Sequence, residues 1–277
     1  MSKWARMFDK TTSFTITDIP KLSLLDFEEE GVQVNANAQE MNGTDGVILG
    51  GRTTFGSFKL ILRFWYKGND TDDYNLMKQR LRGLLFKRDP YYISHSDMPG
   101  KKYAVYCEEN AITDVGTQFG QFEVTFVVYK GYSESLKDTQ SLNLMSDFWQ
   151  YGNGLTASED TKYTHNTNKF KIFNGSTDTI EPAMNRHDLE ISINIDAPNG
   201  FKLVNKTNKT EFEYTKKLTT KDTLIIKGAN PFINNKRVGH NTTFEYVTIA
   251  EGYNDFEIQG DGAILKEIKF KFPFIYR

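Results

Sequence analysis

One cysteine, Cys107, stands among 277 residues, so no intrachain disulfide can form. Its place in the alternating run Tyr103, Val105, Cys107 marks it as a core thiol and not a nucleophile. No uncharged apolar stretch approaches the ~18 residues that a membrane span needs. The opening MSKWARMFDKTTSF lacks the apolar centre of a secretion signal, which points to a protein made and kept in a cytoplasm. Neither sign of charge dominates. With 34 Lys and Arg against 36 Asp and Glu, the net charge is −2, and no global field favours nucleic acid or an anionic membrane.

Catalytic constellations are equally scarce. Gly50-Gly51 is followed by Arg-Thr-Thr, without the lysine and spacing of a phosphate loop. His95, His165, His187 and His240 are far apart and form no metal spacing, which suits ordinary surface or turn histidines. Asn42 to Gly46 lacks the alternating acids of a calcium loop, and a type I′ or similar turn at Asp45-Gly46 explains it better. Glu28, Glu29 and Glu30 are adjacent acids that keep ordinary ionisation unless burial or close pairing tunes one. No catalytic, cofactor-binding or metal-binding residue is therefore assigned. Six Asn-x-Ser/Thr sequons, at Asn42, Asn69, Asn174, Asn205, Asn208 and Asn241, are chance products of an Asn- and Thr-rich chain.

What the chain does have is a foldable composition, 38% hydrophobic and 14% aromatic, which excludes wholesale disorder. Its length favours two domains. Period-two alternation recurs in Phe58, Leu60, Leu62, Phe64, Tyr66, with Lys59, Arg63 and Lys67 on the other face. The same pattern returns in Phe122, Val124, Phe126, Val128, in Leu189, Ile191, Ile193, Ile195, and in a closing strand bearing Ile268, Phe270, Phe272 and Phe274. Such strands between Gly- and Asn-bearing turns predict a mainly β protein built of sandwiches.

One segment departs from that pattern. From Asp72 to Lys87, Met77, Leu81, Leu84 and Leu85 recur at helical spacing before Pro90 forbids continuation. The acids Asp70, Asp72 and Asp73 precede or open this helix, whereas Lys78, Arg80, Arg82, Lys87 and Arg88 load the rest, as the helix dipole favours.

Residues 33–51 are rich in Asn and Gly and poor in large core residues, which suits a hairpin or arm projecting from a domain. Residues 133–168 are again polar, so the domain junction falls there, with Phe148, Trp149 and Tyr151 expected to pack at it.

Several strings in order, ITDIPKLSLLDFEEEGV, GGRTTFGSFKLILRFWYKG, YNLMKQRLRGLLF, RDPYYISHSDMPGKKYAVYC and FGQFEVTFVVYKGYSES, together resemble the N-terminal domain of the siphophage distal tail protein family, particularly in phages of Gram-positive hosts such as staphylococci. The second half, with NPFINNKRVG, EGYNDFEIQG and IKFKFPFIYR, is similar to the galectin-like domain that follows in that family. The resemblance implies a ring-forming N-terminal β-sandwich with one helix and an extended hairpin arm over 1–140, then a galectin-like β-sandwich over 141–277. It implies six copies in a ring at the tail tip, each arm lapping onto its neighbour. The partners implied are further copies, the tail tube protein and the tip or receptor-binding proteins, with no stable nucleic-acid binding and no membrane insertion. The place implied is the distal end of the virion tail, assembled in the host bacterial cytoplasm. Interface residues expected on this basis are Asn37, Asn42, Asp45, Gly46, Arg52 and Phe55 of the arm, and Lys78 and Arg82 of the helix, which Glu28 to Glu30 could face. The alternative is a carbohydrate-binding, cell-wall-binding or hydrolysing tail protein. Trp4, Trp65 and Trp149 all precede the second strand region, so a sugar site there would have to stack on Tyr or Phe.

Overall fold

The computed structural model describes residues 3–141 and 161–277. The chain divides into two compact units, Met1–Glu134 with Arg277, and Ser135–Tyr276. Phe148, Trp149 and Tyr151 lie outside the described residues.

In the first unit, the strands are β1 (Ala5–Phe8), β2 (Ser13–Thr15), β3 (Leu22–Glu29), β4 (Val34–Asn35), β5 (Ala38–Glu40), β6 (Val47–Leu49), β7 (Thr54–Phe55), β8 (Phe58–Lys67), β9 (Tyr91–His95), β10 (Lys101–Asp114) and β11 (Phe119–Val128). A single helix, α1 (Thr71–Leu85), follows β8. Its main sheet runs β2-β1-β9-β10-β11-β8-β3, with antiparallel neighbours. The alternation read in β8 holds, for Phe58, Leu60, Leu62, Phe64 and Tyr66 are all buried.

Two bulges reset the alternation of neighbouring strands. In β3 the register slips between Leu24 and Asp26, so Leu22 and Leu24 face inward and then Phe27 does, leaving Asp26 and Glu28 outside. In β10 it slips between Cys107 and Glu109, after which Ile112 pairs with Phe122. Cys107 sits at that slip half-buried, and desolvation pushes its thiol up to about 12. At neutral pH it is an inert thiol.

Helix α1 starts where Asp70 accepts a 2.8 Å hydrogen bond from the Asp73 amide, while Asp73 accepts one from the Asn69 amide at 2.8 Å. Tyr74, Met77, Leu81 and Leu85 form its buried stripe. The Tyr91 hydroxyl donates to the Leu85 carbonyl at 2.6 Å and satisfies the helix C-terminus. Gly120 is required beside this helix, since a Cβ there would stand 2.0 Å from the Tyr74 hydroxyl.

β12 (Ser133–Ser135) crosses the boundary into the second unit. There β13 (Thr164–His165), β14 (Lys169–Asn174), β15 (Glu190–Asp196), β16 (Phe201–Asn205), β17 (Thr210–Tyr214), β18 (Leu224–Lys227), β19 (Asn230–Ile233), β20 (Lys236–Arg237), β21 (Gly252–Gln259), β22 (Ile264–Lys271) and β23 (Ile275–Tyr276) follow. One sheet runs β13-β22-β15-β18-β19-β20 and the other β14-β21-β16-β17. Their inner faces meet in an aromatic core where Phe256 of β21 lies 5.0 Å from Phe270 of β22, and Phe170 lies within 6 Å of both. β22 ends at Lys271, earlier than expected. Phe272 and Phe274 lie beyond it, still buried, and the Thr139 and Ser135 amides donate to their carbonyls at 3.0 and 2.7 Å.

Histidine is where the residue types misled. His95 is fully buried between Phe27 (ring centres 4.4 Å apart) and Tyr103 (5.7 Å), and His187 is buried with its Nδ1 accepting from the Glu181 amide at 3.0 Å. Neither is a surface residue. The sequon residues Asn174 and Asn205 are buried too. Asn205 donates to the Thr248 carbonyl and to Asn254, and Asn254 in turn bonds the Ala250 amide and carbonyl.

Candidate functional site

β3 and β8 are antiparallel neighbours, and the chain between them is a long excursion, not a tight turn. The ladder closes with the Glu30 amide donating to the Lys59 carbonyl at 2.9 Å, and beyond that point the chain leaves the sheet. Two short ladders then hold it in hairpin form. Val34 pairs with Phe55 and Asn35 with Thr54. Further out, Ala38 pairs with Leu49, Gln39 with Ile48 and Glu40 with Val47. Between the ladders, Gly50 donates to the Asn37 carbonyl and the Asn37 side chain returns a 3.2 Å bond to Gly50. The tip runs from Met41 to Gly46, with Gly43 and Gly46 in the left-handed region and Asp45 outside it, so the turn is a longer loop than a two-residue type I′ hairpin.

Every residue from Gln33 to Arg52 is exposed. Val34, Met41, Val47, Ile48 and Leu49 each expose more than half of their surface, and Phe55 exposes 40%. Cross-strand partners share a face, so Val47 and Leu49 lie on one side of the outer ladder and Ile48 on the other. The arm thus has ordered backbone and unburied apolar side chains on both faces, a combination that a two-stranded ribbon in water does not sustain by itself.

At its base the arm is tightly seated. A Cβ on Gly131, whose φ is +72°, would lie 2.6 Å from the Gly56 carbonyl oxygen. Beside it, β3 presents a sheet edge blunted by its bulge and its acids. Arg63 gathers three of the carboxylates on that face, Asp26 at 3.1 Å, Glu28 at 2.5 Å and Glu123 at 2.8 Å, and these bonds raise its own pKa, Glu28 most. Glu29 accepts from the Tyr103 hydroxyl at 3.1 Å.

Of the residues expected at an interface, Asn37, Asn42, Asp45, Gly46, Arg52 and Phe55 fall on this one arm. Lys78 and Arg82 sit on α1. Lys78 is engaged within its own unit, 2.8 Å from Asp114 and 4.2 Å above the Tyr74 ring, and it is the largest cause holding the Asp114 carboxyl below its usual range. Arg82 is exposed. The expected pairing of Glu28 to Glu30 with the basic helix of a neighbour meets competition, because Glu28, Glu29 and Lys78 already have partners inside the unit. Apart from Phe55, sequence reasoning missed the apolar members of the arm, Val34, Met41, Val47, Ile48 and Leu49. The one signal was the unbroken Val47-Ile48-Leu49, hidden among Asn and Gly.

Among the described residues, no group of three or more His, Cys, Asp or Glu could hold a metal ion. No described helix is long and apolar enough to cross a membrane.

A family model, the phage tail protein RIFT-related domain, matches residues 12–128. Among solved structures, Dit (gp 19.1) of phage SPP1, described as a paradigm of the hub adsorption apparatus in Gram-positive infecting phages, aligns with a TM-score of 0.71 at 10% identity, covering 99% of this chain and 100% of that one. The phage p2 baseplate in its activated conformation aligns at 11% identity over 99% of this chain and 98% of those chains, with TM-scores of 0.45 with strontium and 0.46 with calcium. No curated protein sequence matches. The resemblance carried by the ordered motifs is thereby borne out in its fold: mainly β, with one α-helix among the described residues.

Proposed function

We propose, on the premise that residues 12–128 are a phage tail protein RIFT-related domain and that the whole chain shares the fold of an SPP1 hub protein, that this protein is a structural component of a siphophage tail tip. Its first unit closes a ring with further copies of itself, six in number by analogy with its family, between the tail tube and the tip or receptor-binding proteins. The role is scaffolding and not catalysis. It is exercised at the distal end of the virion tail, after assembly in the host bacterial cytoplasm.

The single observation that supports this reading most is the arm: ordered, exposed from Gln33 to Arg52, and apolar on both faces. Burying half of the exposed surface of six such side chains contributes roughly 1 kcal/mol each, enough to drive association once a neighbour supplies the covering surface. An arm that meets a different patch on the next copy makes a heterologous contact, and repetition of that contact closes a ring.

Light scattering and electron microscopy test this together. The parent protein should form a six-fold ring with a central hole. A variant in which residues 34–55 are replaced by an Asn-Gly turn should stay folded and monomeric. A deletion variant that assembles like the parent would remove the arm as the clasp, and release of soluble wall fragments by the purified protein would overturn the structural role.

A further inference from the structure

Asparagine followed by glycine can modify itself. The glycine amide has no side chain beside it to shield it, so its nitrogen can attack the asparagine side-chain carbonyl and close a succinimide ring. Ammonia leaves as the ring forms, and a water molecule then opens it to aspartate or to isoaspartate, whose backbone is one carbon longer. No oxidant and no enzyme enters the balance. The reaction needs a side chain free to swing and an amide free to attack.

The dipeptide occurs three times among the described residues, at Asn42, Asn174 and Asn199, and the fold treats the three differently. The Asn174 side chain is buried, with its amide donating to the Asp178 and Ile249 carbonyls at 3.1 and 3.0 Å and its oxygen accepting from the Ser176 amide at 3.1 Å. It cannot swing. A Cβ on the following Gly175 would stand 3.0 Å from the Phe274 ring, so a closing ring has little room. Asn199 is exposed, but the Gly200 amide already donates to the Ala197 carbonyl at 3.3 Å, and a Cβ there would stand 2.3 Å from the Tyr214 carbonyl oxygen. Its attacking nitrogen is tied.

Asn42 stands at the tip of the arm under neither restraint. It is exposed, and among the described residues neither its side chain nor the Gly43 amide makes a hydrogen bond. The Thr44 amide and hydroxyl both donate to the Met41 carbonyl, at 3.3 and 3.0 Å, so the turn is pinned around Asn42-Gly43 without engaging either residue. Nothing lies within 4 Å of where a Cβ on Gly43 would be. Local chemistry on a chain follows local hydrogen bonding and burial, and here both are missing.

Conversion at Asn42 replaces a neutral amide by a carboxylate between Glu40 and Asp45, in a stretch, residues 38–49, that holds those two acids and no base. Isoaspartate also lengthens the turn that sets Ala38–Glu40 against Val47–Leu49.

We propose that Asn42 is a self-modification site: in the folded chain it alone of these three asparagines converts to aspartate and isoaspartate, marking the tip of the arm with the age of the molecule. The reaction needs no second copy and does not rest on ring assembly.

Incubation of the full chain at mildly alkaline pH, folded and in denaturant, tests the site. Trypsin places the three asparagines in separate peptides, residues 22–52, 172–186 and 187–202, and mass spectrometry with electron-transfer fragmentation reads conversion at each and distinguishes isoaspartate from aspartate. In denaturant all three should convert at similar rates. Folding should slow Asn174 and Asn199 about tenfold or more, and Asn42 by less than about threefold. Gly43→Ala, which shields the attacking amide, should slow conversion at Asn42 in the folded chain and leave Tm unchanged. The site is overturned if folding slows Asn42 as strongly as Asn174, if Asn199 converts ahead of Asn42, or if Asn42 yields aspartate without isoaspartate. An unchanged rate in Gly43→Ala would mean direct hydrolysis of the side chain and would overturn it equally.

Discussion

The two units handle apolar side chains in opposite ways. The second closes upon itself: Phe170, Phe256 and Phe270 interlock between two sheets, and the polar groups taken inside, Asn205 and Asn254, find partners there. The first buries an equally complete core beneath its sheet and helix, yet sends out an arm whose Val34, Val47, Ile48 and Leu49 are covered by nothing in their own unit. The same residue types contribute to stability in one place and to association in the other. Which of the two occurs is decided by whether the backbone that carries them lies over a core.

That contrast can be broken most forcefully in the second unit. Ile193 is fully buried on β15, so Ile193→Asp would place an unpaired charge in the aromatic core and cost about 4 kcal/mol or more. Circular dichroism melts of a fragment spanning the second unit, Ser135 to Tyr276, should show it unfolded, with the unsubstituted fragment folded and β-rich. The natural control is Glu190→Gln on the outer face. Asn194, one position from Ile193, is unsuitable, because its amide donates to the Thr220 and Asp222 carbonyls at 3.0 and 3.1 Å and an aspartate would turn an acceptor toward both.

Next in size is Asn254→Leu, which removes one of the two bonds made by the Asn205 amide and leaves the Ala250 amide and carbonyl without their Asn254 partner, and should cost roughly 2–4 kcal/mol in a denaturant titration.

In the first unit the comparable effect depends on pH. Burial holds His95 at about 4 against an ordinary 6.5, so between these values the unfolded chain binds the proton and the folded chain does not. Stability therefore falls as pH falls, by on the order of 2 kcal/mol between pH 6.5 and 5. His95→Phe, set between Phe27 and Tyr103, should flatten that part of the profile in thermal melts at stepped pH.

The smallest effect on stability should come from the arm. Val47→Ser with Leu49→Ser should shift the melting free energy of the monomer by less than about 0.5 kcal/mol. Sedimentation should nevertheless show association weakened tenfold or more. If the double variant destabilises the monomer as a core substitution does, the arm packs within its own chain and the contrast between the units fails.

How far these features were legible in sequence follows from how local their causes are. The alternation of β8 and β15 and the helix expected from Asp72 to Lys87, which runs from Thr71 to Leu85, could be read, because period two, period 3.6 and a cluster of acids at a helix start are properties of short windows. The arm could be placed by its Asn and Gly content. Its apolar faces were passed over because the same content reads as a polar loop, and strand pairing across residues 38–49 is invisible without the partner strand. The inward turn of Phe27 depends on a bulge at Leu25, and a one-residue register slip leaves no compositional mark. The burial of His95 depends on aromatic neighbours far away in sequence.

The placement of the arm between β3 and β8 also decides how the first unit carries load. Both feet of the arm stand at the same end of one antiparallel pair, so tension along it draws β3 and β8 in the same direction and does not peel one from the other. The force passes instead into the ladder between β8 and β11, which runs without a slip from Phe58 opposite Val128 to Lys67 opposite Phe119. There the hydrogen bonds are sheared together and do not open one after another, so a tug on the clasp meets the longest uninterrupted seam of the sheet.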